Sequence, residues 1–265
     1  MKFKLFSLLF TFFLMNYSIV FSLTADEIMK KVDERDTGNS AISSNVMILI
    51  DKKKRERIRE IKLYVKEYSE VEKSISFFLS PADVKNTSFL SYDWEDKNKE
   101  DDSWLFLPAL QRVNRIASAD KDGSWMGSDF TISDVEGLDI NDSTYKIISE
   151  NEIVDGFECW KIESLPKNDN VIEKTGYLKS VLWIRKDNFF QVRGVINVKK
   201  GKKVKYFSAK DLELIDGIWT AKTLQMVTTK NKKVMHSSIF KLKDINYNVK
   251  IEDGLFEVES MQRGL

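Results

Sequence analysis

A chain of 265 residues with 42 Lys and Arg against 41 Asp and Glu carries a formal net charge of +1, and 42% of it is hydrophobic. So even a balance lacks the concentrated basic surface that binding to a phosphate backbone needs, which excludes nucleic acid as a partner. Cys159 is the sole cysteine and His236 the sole histidine, so an intramolecular disulfide is impossible and a zinc site, built from several Cys or His ligands, is not expected.

Lys2 and Lys4 precede an almost wholly apolar run from Leu5 to Phe21, broken only by Ser7, Thr11, Asn16, Tyr17 and Ser18. This is the grammar of a cleavable signal peptide, residues 1–22, with the cut after Ser22 behind Val20-Phe21. An uncleaved anchor is the alternative, but the run falls short of the roughly 20 apolar residues of a spanning helix. A lipid-modified start would need a Cys at the cut. The expected product is a soluble exported protein with 40 basic and 41 acidic residues. Residues 23–265 contain no linker, low-complexity tract or second composition class, and one domain is expected.

Thr24-Ala25-Asp26-Glu27 fits a capping box, and Ile28 and Val32 follow at helical spacing, so one amphipathic helix is predicted to about Asp36, ended by Gly38. The period then drops to two. Ile42, Val46, Ile48 and Ile50 alternate with other residues, as do Ile61, Leu63 and Val65, then Val71, Ile75, Phe77 and Leu79 up to Pro81. Strands resume in the second half with Phe190, Val192, Ile196 and Val198. Asp155-Gly156, Lys200-Gly201 and Asp216-Gly217 supply the positive-φ turns of hairpins, hence antiparallel neighbours. The basic runs Lys52 to Arg55, Lys199 to Lys203 and Lys230 to Lys233 fall in turns and read as solvated loops. Val204 to Ile215, Ile218 to Thr229 and Val234 to Ile245 are long strands that suit a curved sheet. Few helices are available to cover it: Thr24 to Asp36, a short stretch near Asp83 to Asn86 or Leu110 to Ala117, and Asp253 to Arg263. A partly closed barrel with a helical lid is the fold expected.

Catalytic signatures are sparse. His236 lies on a strand in step with Val234, Phe240 and Leu242, and spacing alone leaves a Ser-His-Asp triad around it open. No Walker loop or dinucleotide fingerprint occurs. The acidic stretch Asp93, Glu95, Asp96, Glu100, Asp101 and Asp102 lacks the turn glycine of a calcium loop and is interrupted by Lys97 and Lys99, so it reads as a solvated hairpin tip. Glycoside hydrolysis needs two carboxylates, and the sequence does not say which pairs meet.

The least ordinary stretch runs from Asp102 to Glu136. Trp104-Leu105-Phe106-Leu107-Pro108 ends in a proline that removes a ladder N–H. A helical turn after it would set Arg112 and Arg115, three apart, on one side. Beyond the turn at Asp122-Gly123, Trp125, Met126 and Phe130 offer aromatic and soft apolar surface. Such a segment also suits a loop that simply plugs one end of the sheet.

The string from Trp104 to Ile116, with Trp125-Met126-Gly127-Ser128-Asp129-Phe130, resembles the motif of the LolA-like outer-membrane lipoprotein-sorting proteins in their longer branch. The detailed match covers some 35 residues, and the signal peptide, N-terminal helix and long strands agree in layout. Gln111 and Asn114 stand where relatives often carry arginines, and Trp125 where Phe is common. The resemblance implies a mainly β fold, an incomplete antiparallel β-barrel formed by a strongly curved sheet covered by a few α-helices. It implies a periplasmic carrier that is not an enzyme, works without metal or other cofactors, and is a monomer. Its apolar cavity would shield acyl chains of a lipoprotein or lipid, taken from an inner-membrane exporter and passed to an outer-membrane acceptor. Trp104, Phe106, Trp125, Met126 and Phe130 would line the cavity or its mouth, and Arg112 and Arg115 would meet a head group or membrane partner. Longer-branch members look linked to other envelope exporters, so an adaptor with a filled interior is the second reading. An internal void of several hundred Å³ near Trp125 favours carriage. A periplasmic hydrolase is the third.

Overall fold

The computed structural model describes residues 22–96 and 99–265. The expected signal peptide lies outside them, apart from Ser22. The mainly β chain forms one 13-stranded antiparallel sheet that does not close into a barrel. In chain order the strands are β1 (Ser40–Asp51), β2 (Glu56–Glu67), β3 (Val71–Ser80), β4 (Ser88–Trp94), β5 (Asp102–Leu107), β6 (Arg112–Arg115) and β7 (Ser143–Val154). They continue with β8 (Phe157–Pro166), β9 (Tyr177–Arg185), β10 (Gln191–Val198), β11 (Lys203–Ile215), β12 (Ile218–Lys230) and β13 (Lys233–Tyr247).

The spatial order explains the middle of the sequence. It runs β6-β5-β4-β3-β2-β1-β13-β12-β11-β10-β9-β8-β7, so the chain meanders outward to one edge at β6 and restarts at the opposite edge with β7. Residues 116–142 therefore have to traverse the sheet, and they do so across its concave face. Register shifts at Ser44/Asn45, Glu60/Ile61 and Thr228/Thr229 bend the strands there, since a bulge adds local twist and curvature. At the hairpins Asp155 and Gly156 take φ values of 51° and 88°, and Asp216 and Gly217 take 52° and 86°, the primed geometry that matches strand twist.

Among the described residues four α-helices decorate the sheet. α1 (Ala25–Asp33) starts with the capping box between Thr24 and Glu27 and ends at Asp33, earlier than Asp36. Its Ala25, Ile28 and Met29 pack on Ile162, Leu182 and Ile184 of the concave face. α2 (Ile132–Glu136) and α3 (Asp169–Thr175) are short and were not expected; both begin at a side-chain cap, Thr131 and Asn168. The stretch from Asp83 to Asn86 forms turns rather than a helix. α4 (Ser260–Arg263) follows a 3-10 turn at Asp253–Phe256, which breaks the expected C-terminal helix into two short pieces. No helix among the described residues is long and apolar enough to cross a membrane.

The C-terminal segment straps the outer face of β1 to β6. Ile251, Phe256 and Met261 are buried there with Ile75, Phe77, Leu90 and Phe106. Backbone carbonyls of the strap take hydrogen bonds from the sheet: Ser40 Oγ donates to Val249 O (2.6 Å), Ser88 Oγ to Met261 O (3.1 Å) and Tyr92 OH to Phe256 O (2.5 Å). Two apolar layers result, with the strap outside and the crossing segment inside.

Candidate functional site

The crossing segment is pinned at several points. Met126 sits at φ 49°, and its carbonyl accepts a hydrogen bond from the buried Arg59 guanidinium of β2. Burial holds the Arg59 pKa below its ordinary value, with Arg57 adding repulsion. On β13, the Asp129 N–H donates to Ser238 Oγ (2.8 Å), the Ser238 hydroxyl donates to Asp129 Oδ2 (2.7 Å), and His236 Nδ1 lies 2.7 Å from the same oxygen. On β9, Tyr177 OH donates to Asp134 Oδ2 at 2.6 Å. Burial, with Asp134 beside it, pushes the Tyr177 phenol well above its usual range. Within the segment itself, Lys121 and Glu136 form an ion pair at 2.9 Å with both side chains 1% exposed.

Between this segment and β1 to β4 lies a cavity of about 310 Å³, within the size range of small-ligand sites. Trp125 is its central wall. The indole contacts Phe78, Phe89 and Phe240 at ring-centroid distances of 5.5, 6.0 and 5.8 Å, and Phe130 meets Phe240 at 5.2 Å. Ile61, Leu63, Val65, Val135 and Leu224 complete the apolar lining, while Glu72, Asp93 and several serines face it from one end. The aromatic and aliphatic side chains thus form one end of the wall, and the hydroxyls and carboxylates the other.

The structure divides the residues singled out from sequence. Trp125 and Phe130 line the cavity, and Met126 packs against the cluster around Trp125. Trp104 and Phe106 do not line it. They lie on the opposite, outer face, in the cluster covered by the C-terminal strap, with Trp104 against Tyr92 at 5.0 Å. The physical reason is strand parity: Leu105 takes the inner face because it pairs with Phe89, and its two neighbours must point away. Arg112 and Arg115 are also separated. Gln111 adopts φ 48° and ends a 3-10 turn at Pro108–Leu110, so the two arginines fall on β6 rather than on a helix. Residues three apart on a strand face opposite ways. Arg115, opposite Trp104, pairs with Asp102, while Arg112 is exposed opposite Leu107.

Sequence reasoning missed Phe78, Phe89, Phe240 and Arg59, whose roles come from partners distant in the chain. His236 does find a carboxylate, but the serine beside it binds that carboxylate rather than completing a relay through the imidazole. A second cleft behind the segment holds Lys205, which donates to Tyr177 OH at 3.1 Å. Burial lowers the Lys205 pKa against the pull of Asp134.

A family model described as an uncharacterized protein matches residues 70–263. A domain from Vibrio parahaemolyticus provisionally named an outer membrane lipoprotein-sorting protein superposes with a TM-score of 0.80 at 27% identity, over 90% of this chain and 98% of its own. A DUF1329 family protein from Desulfovibrio piger gives 0.80 at 29% identity, over 89% and 97%. A LolA superfamily protein from Nitrosomonas europaea shares the fold with a TM-score of 0.67 at 17% identity, over 90% and 100%. No curated protein matches the chain.

Proposed function

The chain belongs to this LolA-like family, and on that premise we propose that it is a periplasmic carrier that holds acyl chains of a lipoprotein or lipid beneath the crossing segment. The observation that carries the reading is the cavity of about 310 Å³ walled by Trp125, Phe130, Phe89 and Phe240. An adaptor with a filled interior would have no use for that space. Each buried CH₂ of cargo contributes about 0.8 kcal/mol, so release has to be coupled to displacement of the segment or to competition from an acceptor. The cargo comes from an inner-membrane exporter and goes to an outer-membrane acceptor, with Arg112 on the exposed edge strand available to a head group or membrane partner. No residue is assigned a catalytic role.

Native mass spectrometry of the protein purified from the exported fraction tests the reading. Co-purifying lipid or lipoprotein, lost on delipidation and regained on incubation with lipid, is the expected result. A delipidated protein that takes up no lipid and no acylated peptide would overturn it.

A further inference from the structure

The polar residues of the cavity are ordered. On the concave face of β2 to β4, successive cross-strand rows read Ile61 with Phe78, then Leu63 with Ser76 and Phe89, then Val65 with Ser74 and Ser91, then Glu67 with Glu72 and Asp93. Chemistry along the strands thus changes stepwise from hydrocarbon to hydroxyl to carboxylate. We propose that the ligand is an amphiphile lying along this gradient with a cationic, ammonium-type head at the Glu72 end, and that the cavity selects against carboxylate or phosphate heads on the same chain. The inference deepens the acyl-carrier reading and rests on it.

Three observations support it. Like charges placed directly opposite one another in an antiparallel pair are destabilising, yet Glu72 faces Glu67 on one side and Asp93 on the other. Lys66 and Lys73, next to them in the chain, point to the outer face, where Lys66 bonds Asp253 at 2.6 Å and Lys73 lies over the Tyr92 ring at 4.3 Å. None of the described residues that line the cavity is basic. Glu72, facing this apolar space, therefore receives no cation from the described walls of the cavity.

The second observation concerns orphaned groups. Ser76 Oγ and the Trp125 indole N–H are buried without a hydrogen-bond partner, in side chains 4% exposed that line this cavity. Buried polar groups left unpaired are costly. Both residues border Phe89, Ser76 as its cross-strand partner and Trp125 by ring contact, at the level between hydrocarbon and carboxylate. The carbonyl or N–H of an ester or amide linkage would satisfy them there.

Thirdly, the remaining cavity acids are accounted for. Glu136 is paired with Lys121 from behind the wall, and Asp134 with Tyr177. Glu72 has neither a hydrogen bond nor an ion pair among the described residues. It is the carboxylate with capacity for an incoming cation.

Displacement of the neutral apolar probe N-phenyl-1-naphthylamine from delipidated protein, at about pH 8 where alkylammonium and carboxylate heads are both charged, tests this. Dodecylammonium, dodecanol and dodecanoate are the competitors. Dodecylammonium is expected to displace the probe at a concentration at least about ten-fold lower than dodecanoate, a difference of about 1.4 kcal/mol. In Glu72→Gln that ratio should shrink to within about two-fold. Dodecanoate equal to or better than dodecylammonium on the unmodified protein, or a ratio unchanged in Glu72→Gln, overturns the inference and leaves acyl binding standing. Failure of all three competitors and of the probe itself overturns the acyl-carrier reading and this inference with it.

Discussion

Asp129 and His236 meet at 2.7 Å across a separation of 107 residues, and with Ser238 on the same carboxylate they tie the crossing segment to the centre of the sheet. Because Asp129 is buried, removing it leaves Ser238 and His236 without their acceptor, a loss of about 1–3 kcal/mol. Asp129→Ala should therefore loosen the segment locally. Amide exchange over Ser124 to Thr131 is expected to quicken by roughly one to two orders of magnitude, while β2 and β12 stay protected. Equal protection in the variant and the parent would show that Arg59 and Tyr177 suffice to hold the segment.

The ion pair between Lys121 and Glu136 is fully enclosed, and Lys121 Nζ also donates to the Asp101 carbonyl at 2.9 Å. Lys121→Ala strands a carboxylate in a dry site and is expected to cost about 3–5 kcal/mol. Replacing both residues with Met should cost much less than the sum of the single changes, because no charge is then left unpaired. Urea midpoints for the two single variants and the double variant decide it; additive losses would mean that the pair is not coupled.

Trp104 and Phe106 offer a contrast with Trp125. Phe106→Ala should cost about 3–5 kcal/mol through the cavity it leaves under the strap, and the variant that remains folded should take up lipid as the parent does. Trp125→Ala should lower both stability and uptake, since its ring joins Phe78, Phe89 and Phe240. Lipid uptake per folded molecule, measured for both variants, separates the two faces. Loss of uptake in Phe106→Ala would return that residue to the site.

The contrast also shows what the sequence could carry. Strand spacing, hairpin turns, the helix cap at Thr24 and the family motif were all legible, because each is local. The inner face was not. In Trp104-Leu105-Phe106-Leu107 both parities are apolar, since the sheet there is covered by the crossing segment on one side and by the strap on the other. Alternation names a core face only when the other face is wet. The helical pairing expected of Arg112 and Arg115 failed for a related reason. A left-handed Gln111 turned an expected helix into a strand and reversed their relation. The acid row of Glu67, Glu72 and Asp93 depends on register, which no short window of sequence contains.

Glu72 also makes a prediction about pH. Burial first, then the neighbouring Glu67 and Glu95, holds its carboxyl above the ordinary value of 4.5. The native state thus binds this proton more tightly than the unfolded chain does. Stability contributed by the group is greatest when it is protonated, and is lost as pH rises through the raised native value. At neutral pH the ionised side chain therefore opposes folding, which Glu72→Gln relieves. The variant should show a higher urea midpoint than the parent at about pH 7–8, and the advantage should shrink toward zero as pH falls below about 4, where both states of the parent are protonated. A midpoint difference that stays constant across this range, or a variant less stable at neutral pH, would mean that Glu72 is not held in the environment its row implies. Adding dodecylammonium at neutral pH should raise the parent's midpoint more than the variant's, because a bound cation supplies the charge that the walls of the cavity do not.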